Sequence, residues 1–154
     1  MAATSDTYSI RTATADFEDV ADTFDLFLSQ KAEVELTASI STTSTTGTDY
    51  TSASIALTTR ANQVVLVGFN ALISSGAPTG SYMWVTQDGT LVGTSFIHIT
   101  PSSASTAGNT NIITAHRLVV PSVGAHTYKL RWQTDSGTIY STYAYLYAIA
   151  FTNT

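Results

Sequence analysis

The sequence predicts an all-β chain folded as a two-layered sandwich, and three observations carry that expectation. First, His126, Tyr128, Leu130 and Trp132 alternate with Thr127, Lys129, Arg131 and Gln133, the period of two of a strand with one buried face. Second, turn-forming residues recur between apolar runs: Asp88-Gly89, Pro121 with Gly124, and Asp135-Ser136-Gly137. Third, two segments are apolar on both sides. Towards the end of the chain Ile139, Tyr143, Tyr145, Tyr147, Ile149 and Phe151 share one face, while Ala144, Leu146, Ala148 and Ala150 share the other. In 63–73, Val65, Val67, Phe69, Ala71 and Ile73 oppose Val64, Leu66 and Leu72. Such a strand must be covered twice, once by the opposite sheet and once by an added segment or a neighbouring chain.

Taken in order, residues 1–15 are rich in Thr, Ser and Ala without a period and read as an extended end. Phe17, Val20, Phe24 and Phe27 or Leu28 then fall at helical spacing behind Asp16 as a cap, which suits a short helix. An extended segment with Phe24, Leu26 and Leu28 on one face is the alternative. Residues 33–40 alternate Val34, Leu36, Ala38 and Ile40 with polar side chains and read as a strand at an edge of the sandwich or on a neighbouring subunit. The tract 41–51, STTSTTGTDYT, reads as a low-complexity hinge.

A short strand is expected over 54–59 and a long one over 63–73, then a Gly/Pro loop over 75–80. A hairpin should pair 82–87 with 90–99 across Asp88-Gly89. A polar loop over 101–111 leads to a strand at 112–120 and the closing pair. Roughly seven or eight strands with hairpin turns and long crossings suit a jelly roll better than an up-and-down barrel. The organisation expected is an acidic N-terminal arm and hinge over 1–50 and a jelly-roll β-sandwich over 51–154.

Composition narrows the function classes. At 154 residues the chain suits one domain with a core plus an arm. With 44% hydrophobic and 11% charged residues, the surface must be built from Ser, Thr, Asn and Gln, which suits packing against protein. No cysteine is present, so neither disulfides nor thiolate metal sites exist and stability must come from burial and assembly. No secretory leader, no apolar run near the roughly 18 residues of a membrane span and no glycosylation sequon is seen, so assembly in the host cytoplasm is expected and a membrane partner is not. Residues 1–50 carry nine acids and two bases, a net of −7, while the remainder carries two acids and four bases, a net of +2. An acidic first third repels nucleic acid and fits a basic protein surface.

Residues with chemistry are few. His98, His116 and His126 each lie in an expected strand without metal-motif spacing, although His116 and His126 could be neighbours across the Pro121 turn. Asp88 and Asp135 are explained by their turns, which leaves no carboxylate pair. No serine sits in a nucleophile elbow and no phosphate loop is present, so neither an enzyme nor a cofactor is expected. Lys129, Arg131 and Arg117 could form a basic patch, either for solubility or to dock an acidic arm from another copy. Tyr140, Tyr143, Tyr145 and Tyr147, with Trp84 and Trp132, could offer a sugar platform, but strand alternation favours core or intersubunit contact.

The Pro-x-x-Gly turn at 121–124, the run HTYKLRW at 126–132, the DSG turn at 135–137 and the aromatic terminal strand together resemble the C1q and tumour-necrosis-factor type of jelly roll found in structural proteins of tailed bacteriophages. The resemblance covers the chain from Ser52 onward; no collagen-like tract precedes it, which favours the viral branch. It implies a homotrimer with the terminal strand near the three-fold axis. Tyr143, Tyr145, Tyr147, Ile149 and Phe151, with Val64 and Leu66, are then the expected trimer contacts. Phe17, Val20, Phe24, Phe27 and Leu28 are the expected arm contacts. The function expected is a virion capsid decoration or cement protein on the capsid surface, its arm reaching neighbouring decoration subunits or the major capsid protein. A receptor- or glycan-binding head of a tail fibre or spike is the alternative, for which the long shaft or repeat is missing.

Overall fold

The computed structural model describes residues 30–75, 80–93, 97–99 and 110–152. The expected helix and the arm contacts Phe17, Val20, Phe24, Phe27 and Leu28 lie outside the described residues. The described chain is all-β. Its elements are β1 (Gln30–Leu36), β2 (Ile40–Thr42), β3 (Thr48–Thr59), β4 (Gln63–Ser75), β5 (Ser81–Gln87), β6 (Thr90–Leu91), β7 (Ile97–Ile99), β8 (Thr110–Val119), β9 (Gly124–Thr134) and β10 (Ile139–Thr152). They form two antiparallel sheets. The first has the order β1-β10-β4-β8, with β2 also on β10, and the second the order β3-β9-β5-β6, with β7 also on β5.

Alternation explains why these segments lie face to face. In β9 the buried positions are His126, Tyr128, Leu130, Trp132 and Thr134, as the sequence period requires. Tyr128, Leu130 and Trp132 meet Val65, Val67, Phe69, Ala71 and Ile73 of β4 and Ala144, Leu146, Ala148 and Ala150 of β10 in one apolar core. Each large side chain buried there contributes about 1.5–3 kcal/mol. Trp132 and Tyr50 anchor one end, their rings 4.7 Å apart at 46°. Tyr50 donates a hydrogen bond of 2.7 Å to Ser141 Oγ, tying β3 in one sheet to β10 in the other.

Four expectations change. The tract read as a hinge over 41–51 is structured: it contributes β2 and the start of β3, and Tyr50 is 2% exposed. Its Ser/Thr content reflects strand propensity as much as solvation. The expected boundary between residues 50 and 51 consequently falls inside β3, and β1 is already part of the first sheet through pairs from Gln30↔Ala150 to Leu36↔Ala144. The return strand over 90–99 is split. Asp88 (φ 51°) and Gly89 (φ 84°) make the tight turn, but the register runs from Thr86↔Leu91 to Met83↔Ile97, so the return strand does not continue in one register. Finally, Ile139 does not share a face with Tyr143. A bulge between Ser141 and Tyr143 shifts the phase, so that Ile139, Ser141 and Ala144 all face the core.

Candidate assembly surface

The outer face of the first sheet is built in rungs that cross its strands. One rung runs Lys31, Ile149, Leu66, Leu118; the next Glu33, Tyr147, Gly68, His116; the next Glu35, Tyr145, Asn70, Thr114. Phe151 with Val64 closes one end, and Tyr143, Leu72 and Ile112 close the other. The face is therefore apolar at both ends with a polar band between. All seven residues expected at an intersubunit contact, Tyr143, Tyr145, Tyr147, Ile149, Phe151, Val64 and Leu66, lie together here and are half-buried. The reverse side of the same strands is closed, with Val65, Leu146, Ala148 and Ala150 at 0% exposure.

Exposure rises toward β8, which is an edge of the sheet. Ile112 is 77% and Leu118 63% exposed on the strand, and Val120 and Val123 stand open in the connection that follows. The sequence reading did not single out these four residues. For Ile112, Leu118 and Val120 the signal is the strand alternation 112, 114, 116, 118, 120, which puts isoleucine, leucine and valine on the side away from the core.

Two contacts fix the polar band. The hydroxyl end of Tyr147 lies over Gly68: a Cβ at residue 68 would stand 2.5 Å from Tyr147 Oη and 2.6 Å from the Ala115 carbonyl oxygen, so only glycine admits it. Tyr145 donates its hydroxyl to Glu33, which also pairs with Lys31 at 2.8 Å. The Lys31 ammonium, then the Tyr145 hydroxyl, hold the Glu33 carboxyl below its ordinary range, and the bond to Glu33 pushes Tyr145 up to about 12. Tyr145 and Tyr147 rings lie 5.8 Å apart.

Other candidates disperse. Trp132 is in the core, and Trp84 is 6% exposed beneath Arg131 and the backbone of Gly47, so no aromatic sugar platform joins them to the tyrosines. Lys129 and Arg131 are met by their own chain: Asp49 lies 2.8 Å from Lys129 Nζ and 3.0 Å from Arg131 Nε. The second contact is an ion pair without hydrogen-bond alignment, since Nε has no hydrogen-bond partner. Arg117 is on the other sheet, against Gly93. His116 and His126 do not converge, the first exposed on β8 and the second buried on β9. His98 lies in β7, opposite Tyr82. Among the described residues no group of three or more His, Asp or Glu side chains could hold a metal ion.

One polar cluster is built around a buried ring, with Asp88 half exposed beside it. His126, 6% exposed, has Asp88 Oδ2 2.6 Å from Nδ1 and the Ser122 carbonyl 2.8 Å from Nε2. The Thr127 amide donates to Asp88 Oδ1 at 2.8 Å, and Thr59 Oγ1 donates to the same Ser122 carbonyl at 2.6 Å. The bond to Asp88 raises the His126 pKa, with help from the Ser122 carbonyl, and the bond from His126 lowers that of Asp88. Turn chemistry alone therefore does not account for Asp88. The contact was hidden from the sequence because it forms between the β5–β6 turn and a residue of β9, brought together only by the pairing of β5 with β9.

No protein-family model and no curated protein matches the chain. Among solved structures, one of the infectious bursal disease virus Gx strain aligns with 80% of this chain and 32% of its own at TM-score 0.49 and 14% identity. A structure of T=1 particles derived from infectious bursal virus aligns with 80% of this chain and 36% of its own, at TM-score 0.48 and 14% identity. Dimeric latent PorU from Porphyromonas gingivalis aligns over 79% of this chain and 13% of its own, at TM-score 0.45 and 10% identity. The chain thus spans about a third or less of the length of each of these structures.

Proposed function

We propose that this chain is a virion structural protein, a capsid decoration or cement protein of the jelly-roll type that assembles as a homotrimer through the outer face of its β1-β10-β4-β8 sheet. The observation that carries the reading is that open face. Its apolar stretches, Ile149-Leu66-Leu118 and Tyr143-Leu72-Ile112, put large side chains where a solitary sandwich puts polar ones. The strand order supports the jelly roll: once β2 is counted with β1 and β7 with β6, each sheet alternates early and late strands, as wrapping a long hairpin into two layers requires. The resemblance of the closing strands to phage jelly rolls supports the viral setting. Residues 1–29, with six acids and one base, form the arm in this reading and reach a basic surface on a neighbouring decoration subunit or on the major capsid protein.

The test has two parts. Light scattering on the full chain at micromolar concentration should give the mass of a trimer; a stable folded monomer rejects the interface. Co-sedimentation with capsid shells lacking this protein should show binding by the full chain and loss of binding once residues 1–29 are removed. Equal binding by the shortened chain rejects the role of the arm. Absence from shells together with presence on tails turns the reading to a receptor-binding head.

A further inference from the structure

We propose that His126 is a proton-operated selector that binds Asp88 when charged and Gln87 when neutral, and so locks or frees the turn between β5 and β6. The argument rests on counting donors and acceptors around an enclosed ring. Nδ1 faces Asp88 Oδ2 at 2.6 Å, and Nε2 faces the Ser122 carbonyl at 2.8 Å. Both partners only accept hydrogen bonds when the carboxyl is ionised, so both ring nitrogens must carry a proton to satisfy them. Gln87 Nε2 stands 3.1 Å from the same Nδ1 and can donate to it only after that nitrogen has lost its proton. The site thus holds two alternative partners for one ring atom, one for each charge state.

The two ends of the ring respond differently. Nε2 keeps its proton and the Ser122 carbonyl in both states, so the β8–β9 connection stays anchored, with Thr59 Oγ1 as a second donor. Only the Asp88 side changes. After deprotonation Asp88 retains the Thr127 amide at 2.8 Å and its own amide's bond to the Thr127 carbonyl at 2.9 Å, but it loses the histidine and shares with the ring the Gln87 amide that also bonds its carboxylate, so the turn is left with fewer side-chain ties to β9. That turn is already in left-handed conformation at Asp88 (φ 51°), so the side-chain bonds help to hold an unfavourable backbone geometry.

The electrostatic surroundings are simple. Asp88 is the one charged group among the described residues that line the cavity beside His126; the others are Gln87, Thr90, Leu91, Val92, Gly93, Val119 and Ser122. On the far side of Asp88, Lys129, Arg131 and Asp49 share a groove with it and neutralise one another in part. Along β9 the next inward side chain is Tyr128, whose burial keeps it neutral by pushing it up to about 12. Because the His126 pKa is raised, the charged state persists above the ordinary histidine value of 6.5 and is lost as pH rises through the folded value. The lowered Asp88 pKa sets the lower limit: the pair fails only as pH falls through that lowered value, which lies beneath the ordinary carboxyl value of 3.8. Between those limits the turn is locked.

A pH titration by 15N NMR on the full chain tests this, with His126 assigned by its loss in H126Q. Both ring nitrogens should remain protonated through pH 6.5, after which the ring should become the Nε2–H tautomer. Amide exchange at Gly89 and Thr90, corrected for base catalysis, should rise several-fold over the same transition. Gln87→Ala removes the donor of the neutral state and should raise the midpoint, whereas Asp88→Asn should lower it. A midpoint at or below that of free histidine, an Nδ1–H tautomer, or turn amides indifferent to the transition each overturn the proposal. If Asp88→Asn does not fold, the wild-type titration and Gln87→Ala decide alone.

Discussion

At the scale of single residues, two positions turn geometry into measurable energy. Gly68 is the floor under the Tyr147 ring, and a methyl there meets both the hydroxyl and the Ala115 carbonyl at less than 3 Å. Gly68→Ala should destabilise by about 1–3 kcal/mol, the range for overpacking. Removal of the ring by Tyr147→Ala should recover part of that loss but not all of it, since the backbone carbonyl cannot swing aside; a double-mutant cycle in urea measures the coupling. Tyr128 presents the opposite case. Its ring is fully buried, and among the described residues no group receives or offers a hydrogen bond at its hydroxyl. Tyr128→Phe deletes that unpaired hydroxyl and should be neutral or stabilising by up to about 1 kcal/mol, read as an unchanged or higher Tm. A loss of more than that would reveal a partner for the hydroxyl.

At the scale of elements, the bulge in β10 governs what each face presents. Ser141 accepts from Tyr50 at 2.7 Å and donates to the Tyr143 carbonyl at 3.0 Å, so one side chain holds both the bulge and the link between sheets. Ser141→Ala strands the buried Tyr50 hydroxyl and should cost about 1–3 kcal/mol in chemical denaturation; adding Tyr50→Phe should restore much of it. A stability unchanged by Ser141→Ala would mean that the bulge is set by the backbone alone. This element also marks what could be read from sequence. The two-sided strands β4 and β10 and the inward set of β9 were legible because a period of two survives wherever the pleat is unbroken. The phase of Ile139 was not, because one extra residue reverses the sides and leaves no mark in hydrophobicity. Tyr50 was missed for another reason: a single aromatic residue in a Ser/Thr tract carries no period, although it packs on Trp132 from 82 residues away in sequence (132 − 50). The outer face needed only alternation, whereas the Asp88–His126 contact depended on β5 pairing with β9, which sets the Asp88 turn against His126.

At the scale of the whole molecule, the question is what covers the outer face of the first sheet. The inner face is complete, since β4 and β10 bury Val65, Val67, Phe69, Leu146 and Ala148 to 1% exposure or less. Stability of the sandwich and assembly across the other face are therefore separable. Ile149→Lys with Leu66→Lys adds two cations side by side on the rung that already carries Lys31, without touching the core, because both side chains point away from it. Like charges directly opposite on a sheet cost about 0.2–1 kcal/mol, so the doubly substituted chain should still fold cooperatively. Assembly should suffer far more. An obligate interface of roughly 2,000 Å² or more has an apolar centre, and two uncompensated cations buried there are enough to disperse it. The expected outcome is a folded monomer by light scattering with an unchanged far-ultraviolet β signal, beside a trimeric wild type. A variant that remains trimeric would move the interface to another surface, and one that unfolds would show that the face is part of the fold's own stability; Glu35→Lys, on the exposed edge strand of the same face, gives a milder charge change that separates these two outcomes.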